Sequence, residues 1–305
     1  MGIDVLPLVK AGLALLAAGG VVIAALSRIP QISARAMSVW PIYLTEVAIV
    51  GTVLAAFAIG GFAPAVLALL ITLRVTYEAV VVALARLTDA DRSAVPPLIA
   101  VATGAVALAA ILLPPTLMAG GVVAAAVLAL AALWLRGDRS RTLPNALLEV
   151  LLFPVRPAFV FTAASARAEF AGLLLVLFIL VETNDSYALL GGKVFGRRQA
   201  FPKLSPKKTV EGLAIGAVAL AATTALVGTR FFGYSLAGCI GIAVAVGILS
   251  IAGDLAASRL KRVAGVKDYP LFMPRQGGLL DIVDAWLMTG AVIVMLIVLT
   301  GLAGS

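Results

Sequence analysis

The sequence predicts an all-α, polytopic integral membrane protein of about nine transmembrane helices. Three observations carry that prediction. Of the 305 residues, 62% are hydrophobic and only 12% charged, where a soluble domain carries about 25% charged residues. The mean hydropathy is +1.13. The apolar residues fall in runs close to the ~20-residue length that crosses a bilayer, separated by short polar loops.

Taken in order, the candidate spans are residues 8–26, 42–60, 62–85, 97–113, 117–135, 168–183, 211–229, 232–252 and 286–303. The first begins with Asp4 and Lys10 rather than a basic leader, so it reads as a retained helix and not a cleaved signal. Segment 147–166, "LLEVLLFPVRPAFVFTAASA", is interrupted by Pro154, Arg156 and Pro157, and reads as re-entrant or interfacial. The 29 glycines suit close helix packing in lipid. Residues 1–166 read as an N-terminal group of scaffold helices, and 167–305 as a C-terminal region that holds most of the charge.

The composition also removes chemistries. A single cysteine, Cys239, allows no intrachain disulfide, and the absence of histidine takes away the commonest general base and transition-metal ligand. Catalysis is left to carboxylates, lysine, arginine, hydroxyls or a hard metal ion. The net charge of +8 is concentrated in two loops. Lys193, Arg197, Arg198, Lys203, Lys207 and Lys208 lie before the paired spans 211–229 and 232–252, and Arg259, Lys261, Arg262, Lys267 and Arg275 lie after them. Two spans return the chain to the same face, and the positive-inside rule makes that face cytoplasmic. The expected setting is the cytoplasmic (inner) membrane, with a multi-pass chain in contact with membrane lipids and the site facing the cytoplasm. Topology alone accounts for the cations but not for Asp185, Asp254, Asp268, Asp281 and Asp284 beside them, since acids contribute little to orientation and are costly near hydrocarbon.

Three segments combine these residues. In "GDLAASRLKR", helical spacing places Asp254, Ser258, Lys261 and Arg262 on one face, either as a carboxylate, hydroxyl and cation array or as a helix end whose cations complement the dipole. In "PRQGGLLDIVDAW", Gly277 and Gly278 permit a sharp turn, and Asp281 and Asp284, one turn apart, can share Mg²⁺. In "NDSYALLGGKVFGRRQAFPKLSPKKTVEG", Asn184 and Asp185 end an apolar span. Gly191, Gly192 and Gly196 loosen the backbone, Lys193, Lys207 and Lys208 can meet phosphate oxygens, and "SPKKTVEG" reads as a helix start capped by Thr209 or Ser205. The Walker spacing is absent. The basic loops lack interleaved aromatics, which speaks against nucleic acid as a partner. Carboxylates for metal, cations for a triphosphate and no histidine fit phosphoryl or nucleotidyl transfer, in which positioning and charge neutralisation dominate.

The run from Ser258 to Asp284 resembles the C-terminal signature of the phosphatidate cytidylyltransferases, or CDP-diacylglycerol synthases. The matching positions are Ser258, Lys261, Arg262, Lys267, Asp268, Gly277, Gly278, Asp281 and Asp284, preceded by Asp254. The family's upstream motif is similar to residues 184–212 at Asp185, Gly192, Lys193, Gly196, Ser205, Pro206, Lys207, Lys208, Thr209 and Gly212. The resemblance covers roughly residues 170–305 and departs at Gln276 (family histidine), Ile282 (arginine), Ala257 (glutamate) and Pro270 (a small residue).

It implies that CTP and phosphatidate react to give CDP-diacylglycerol and pyrophosphate. Mg²⁺ would be held by Asp281, Asp254 and Asp284, with Lys261 also catalytic and K⁺ as an accompanying monovalent ion. Asp185, Lys193, Ser205, Lys207, Lys208, Thr209, Ser258, Arg262, Lys267, Asp268, Gln276, Gly277 and Gly278 would bind substrate, in a homodimer. Three alternatives stand beside this reading. One is a CTP-using enzyme acting on another lipid phosphate or a polyprenol, and another is a catalytically degenerate scaffold of lipid synthesis. The third is a transporter, which the interrupted segment and the midspan charges Glu46, Arg74 and Glu78 would allow.

Overall fold

The computed structural model describes residues 4–87, 94–136, 142–273 and 276–301. Its elements in order are α1 (Val5–Leu26), α2 (Ser33–Met37), α3 (Trp40–Ile59), α4 (Ala63–Ala85), α5 (Val95–Ala110), α6 (Pro115–Arg136), α7 (Leu143–Val150), α8 (Arg156–Ser165) and α9 (Ala168–Phe195). A two-stranded hairpin follows, β1 (Gln199–Phe201) and β2 (Ser205–Thr209), and then α10 (Val210–Phe232), α11 (Leu236–Val263) and α12 (Leu280–Thr300). Among the described residues, nine helical segments are long and apolar enough to cross a membrane. Arg275 lies outside the described residues.

The expected spans hold with two exchanges. The run expected at 97–113 forms a helix of 16 residues, too short to cross the bilayer core of about 30 Å at 1.5 Å per residue. The interrupted segment takes its place: α7 and α8 join through a π-turn at Leu151–Val155 into a continuous span, Leu143–Ser165. Phe153 leaves helical geometry there, but both it and Pro154 are buried in protein, where a broken backbone is tolerated at membrane depth.

The core sits around α12, which packs on α4, α8, α9 and α11. Trp286 is its centre. It is buried, its ring centroid lies 4.5 Å from Phe161 and 4.7 Å from Phe178, and its indole N–H donates to the Leu174 carbonyl at 3.0 Å. Outward apolar residues such as Val21, Leu44, Leu128, Val218 and Ile248 are exposed, as suits helices solvated by lipid tails rather than water.

Two features place the site. Helices α9 and α11 have 28 residues each, about 42 Å of helix against a hydrocarbon core of about 30 Å, and both end at the basic loops. The backbones of α11 and α12 also touch. A Cβ at Gly253 would lie 2.5 Å from the Asp284 carbonyl oxygen and 3.0 Å from Ala285 Cα, so only glycine allows this approach.

The region around 184–209 departs from expectation. Asn184 and Asp185 do not end a helix, and Gly191 and Gly192 do not loosen one, because α9 runs on to Phe195 and packs these glycines against α10. The segment expected to start a helix at Ser205 is strand β2, antiparallel to β1 with Phe201 opposite Ser205 and Gln199 opposite Thr209. The helix begins after it at Val210, and Thr209 Oγ1 accepts from the Gly212 N–H at 3.1 Å as its N-cap.

Candidate active site

Helix α9, strand β2 and helix α11 build the first half of the site. A strand alternates its faces, so of two adjacent lysines Lys207 is exposed and Lys208 turns inward. The Lys208 ammonium pairs with the Asp254 carboxylate of α11. Burial alone would lower the lysine's pKa, but Asp254, Asp185 and Asp284 outweigh it and hold the group above the ordinary lysine value. Asp185 Oδ1 accepts from Asn184 Nδ2 at 2.9 Å and from Ser250 Oγ at 3.2 Å, which ties α9 to α11 beside the pair. Asp185 stands about 15 Å along α9 from the end of that helix, so this cluster lies well inside the helix and not at its terminus.

The second half comes from the end of α11 and the start of α12. Lys261 shares a helical face with Asp254, as the spacing predicts, and pairs with Asp281 in the first turn of α12. The Lys261 ammonium also lies 5.2 Å from the centroid of the Tyr269 ring. Tyr269 donates to the Ala257 carbonyl at 2.9 Å. Its hydroxyl is pushed up, by burial first and then by the carboxylates of Asp281, Asp284 and Glu78, so it stays a neutral donor. Asp284 is buried, interacts electrostatically with Asp254, Lys208, Asp281 and Asp185, and accepts from the Ala285 N–H at 2.7 Å. Gly277 has φ +97°, which only glycine adopts without strain.

Asp185, Lys208, Asp254, Lys261, Asp281 and Asp284 therefore converge, although they come from segments up to a hundred residues apart. The other expected residues stand outside this cluster. Arg262 Nε donates to the Leu204 carbonyl at 3.2 Å and fastens the hairpin to α11. Lys193, in the last turn of α9, reaches the Ser38 carbonyl at 3.4 Å. Ser205 opens β2, and Ser258 is half-buried on α11. Lys207, Lys267 and Asp268 are exposed. Gln276 Nε2 donates to Thr45 Oγ1 at 2.6 Å and to Glu46 Oε2 at 3.3 Å, on α3.

Sequence reasoning did not name Ser250 or Glu182, and it singled out Asn184 only as a span end and Glu46, Arg74 and Glu78 only as midspan charges. Ser250 and Asn184 buttress Asp185. Glu46 and Glu182 meet in an apolar cleft between α1, α3 and α9. Glu78 and Arg74 of α4 pair beside the start of α12 at 2.6 Å. The available signal was the rarity of ionisable residues within apolar spans. Among the described residues, no three His, Cys, Asp or Glu side chains converge as a metal cluster. The donors are nonetheless all oxygen (carboxylates with hydroxyls nearby), which is the chemistry of a hard cation such as Mg²⁺ and not of zinc or copper.

A profile of the cytidylyltransferase family matches residues 42–300. The chain belongs to the cytidylyltransferase family. The chain is 38% identical over 123 residues to a protein of Escherichia coli (strain K12) called "Uncharacterized protein YnbB", covering 40% of this chain and 41% of that one. It is 40% identical over 126 residues to the phosphatidate cytidylyltransferase of Haemophilus influenzae, covering 39% of this chain and 43% of the relative. It is 28% identical over 166 residues to the phosphatidate cytidylyltransferase of Rickettsia felis, covering 52% and 72%. The chain thus spans less than half the length of the first two relatives. The family match itself reaches well beyond the C-terminal region that the motifs mark, taking in α3 and α4.

Proposed function

We propose that this cytidylyltransferase-family chain transfers the cytidylyl group of CTP to phosphatidate, giving CDP-diacylglycerol and pyrophosphate. The observation that carries the reading is the meeting of two alternating ion pairs, Lys208–Asp254 and Lys261–Asp281, at one end of the bundle. The name of the Haemophilus influenzae relative supports the substrate pair. A phosphate oxygen of phosphatidate forms the new bond to the α-phosphorus of CTP. The bond from that phosphorus to the α–β bridging oxygen breaks, and its electron pair leaves with pyrophosphate. The attacking oxygen is already anionic, so no general base is required, which is consistent with a chain that has no histidine. Lys208 and Lys261 hold triphosphate oxygens and neutralise the charge that grows on the leaving group. Asp281, Asp284 and Asp254 do not close into a three-ligand cluster by themselves, so they would hold Mg²⁺ only together with phosphate oxygens of the substrate, and the ion when bound would supply charge neutralisation there. The basic loops favour a cytoplasmic orientation, where CTP enters from water and the lipid headgroup from the bilayer surface.

The test uses the purified protein in detergent with labelled CTP, phosphatidate and Mg²⁺, following CDP-lipid and pyrophosphate together. Wild type should form both in equal amounts. Asp281→Asn should lower the rate at least ~10²-fold while leaving membrane insertion intact. Turnover of Asp281→Asn at the wild-type rate would sink the assignment. Gln276 favours a second reading, a different lipid phosphate as acceptor, because its amide is held against Thr45 and Glu46 at the position of the family histidine. Product from such a lipid in place of phosphatidate would select it.

A further inference from the structure

We propose that Glu78, on α4, is a positioning residue that clamps the start of α12 and so sets where Asp281 and Asp284 stand; this rests on the functional reading above. Helix α12 begins without a side-chain cap of its own, since the residue before it is Leu279. Its first free N–H groups would lack acceptors, and each one buried in that state is costly. Glu78 supplies the acceptors from another helix. Its Oε1 accepts from the Leu279 N–H at 3.0 Å and its Oε2 from the Leu280 N–H at 2.8 Å, and the residue is fully buried. Arg74 Nε holds Oε1 at 2.6 Å, while its Nη2 reaches the Pro270 and Leu271 carbonyls at 3.3 and 3.4 Å, so the same pair grips the preceding loop. The second glycine of the Gly-Gly pair leaves room for this contact and for Tyr269. A Cβ at Gly278 would lie 2.5 Å from Tyr269 Cβ and 2.6 Å from Glu78 Oε2.

A carboxylate bound this way does more than satisfy donors. The two N–H groups it holds immediately precede Asp281, the partner of Lys261. Both carboxylate oxygens act only as acceptors, so an amide in place of one oxygen sets a donor against N–H or guanidinium. The start of α12 should then shift or fray, carrying Asp281 with it. A misplacement of about 1 Å can cost ~10²-fold in rate.

The experiment compares wild type, Glu78→Gln and Gly278→Ala in detergent. Gly278→Ala presses on the carboxylate, and on Tyr269, without removing either. In Glu78→Gln, kcat should fall about 10²-fold while KM for CTP stays within about threefold. Amide hydrogen exchange in the peptide covering residues 276–284 should quicken at least tenfold. Gly278→Ala should move both readouts in the same direction by less. Unchanged exchange and kcat in a folded Glu78→Gln would overturn the proposal. So would unfolding of both variants, which would make Glu78 a determinant of the fold as a whole. Should wild type transfer no cytidylyl group to phosphatidate, the functional reading fails, and the exchange measurement still decides whether the clamp exists.

Discussion

Adjacent lysines at 207 and 208 should give opposite outcomes when each is changed to methionine, and the contrast tests the geometry of the site. Lys208 points inward and pairs with Asp254, their side chains 26% and 19% exposed. Two unit charges in contact at an effective dielectric of about 20 attract by roughly 4 kcal/mol. Most of that is offset by desolvation, so the pair itself is worth little against a hydrophobic replacement of both partners. Removing only the lysine is different, because Asp254 stays behind with Asp185 and Asp284 in its field. Breaking a fully buried pair costs about 3–5 kcal/mol. The partial exposure lowers the expectation for Lys208→Met to about 2 kcal/mol. Lys207 lies on the exposed face of the strand, where substitutions stay within about 0.5 kcal/mol.

The assay is thermal unfolding in detergent alongside the coupled CDP-lipid and pyrophosphate assay. Lys208→Met should unfold at a clearly lower temperature and lose ~10²-fold or more in turnover, the scale of a lost charge-stabilising donor. Lys207→Met should match wild type in stability and keep most of its activity. Equal losses in the two variants would refute the reasoning, since that would mean both lysines act only through the overall charge of the loop.

Gly253→Ala pits two effects against each other. Alanine gains about 1 kcal/mol in helix propensity, but its Cβ would press on the Asp284 carbonyl and on Ala285, backbone atoms that cannot yield. Overpacking of about 1–3 kcal/mol should prevail, so the variant should unfold at lower temperature and lose activity, both read in the same assays. For pH, the folded-state pKa of Lys208 lies above its ordinary value of 10.5. A raised lysine contributes stability that is fully present below its unfolded pKa and is lost as pH rises through the folded one. The part of the difference in unfolding temperature between wild type and Lys208→Met that comes from the lysine's own charge should thus shrink as pH rises above about 10.5.

Much of the fold is legible because a bilayer sets one length for every span, and apolar runs of that length stand out from their loops. The shared face of the two basic loops followed from counting the spans between them, and the alignment of Asp254 with Lys261 from helical spacing. Where the reading slipped, local chemistry was overruled by packing. Pro154 and Arg156 looked like breakers, yet the chain crosses there because neighbouring helices bury the irregular turn. "SPKKT" carries capping residues at both ends, and only pairing with β1 decides that Ser205 opens a strand while Thr209 caps the helix. That choice also separates Lys207 from Lys208, which no count of charges could do.

Glu78 was visible as a midspan charge, and a complete accounting of backbone donors would have assigned it. Helix α12 follows "QGGLL", a stretch with no Ser, Thr, Asp or Asn at its start. The helix also begins level with the interior of α4, about 10 Å below that helix's end, where water is scarce. Such a helix start has to borrow its acceptor from a neighbour, and the acceptor must be acidic or carbonyl. A lone glutamate in an apolar span, four residues after an arginine, meets that need and can be held in place by its own helix. The charge that suggested a transport path is used at a helix end instead. Arg74 and Glu78 neutralise one another, and their remaining hydrogen bonds go to the loop and to the first turn of α12. The family match reaches α4 as well as the motif-bearing helices, which is what a site held from both halves of the chain requires.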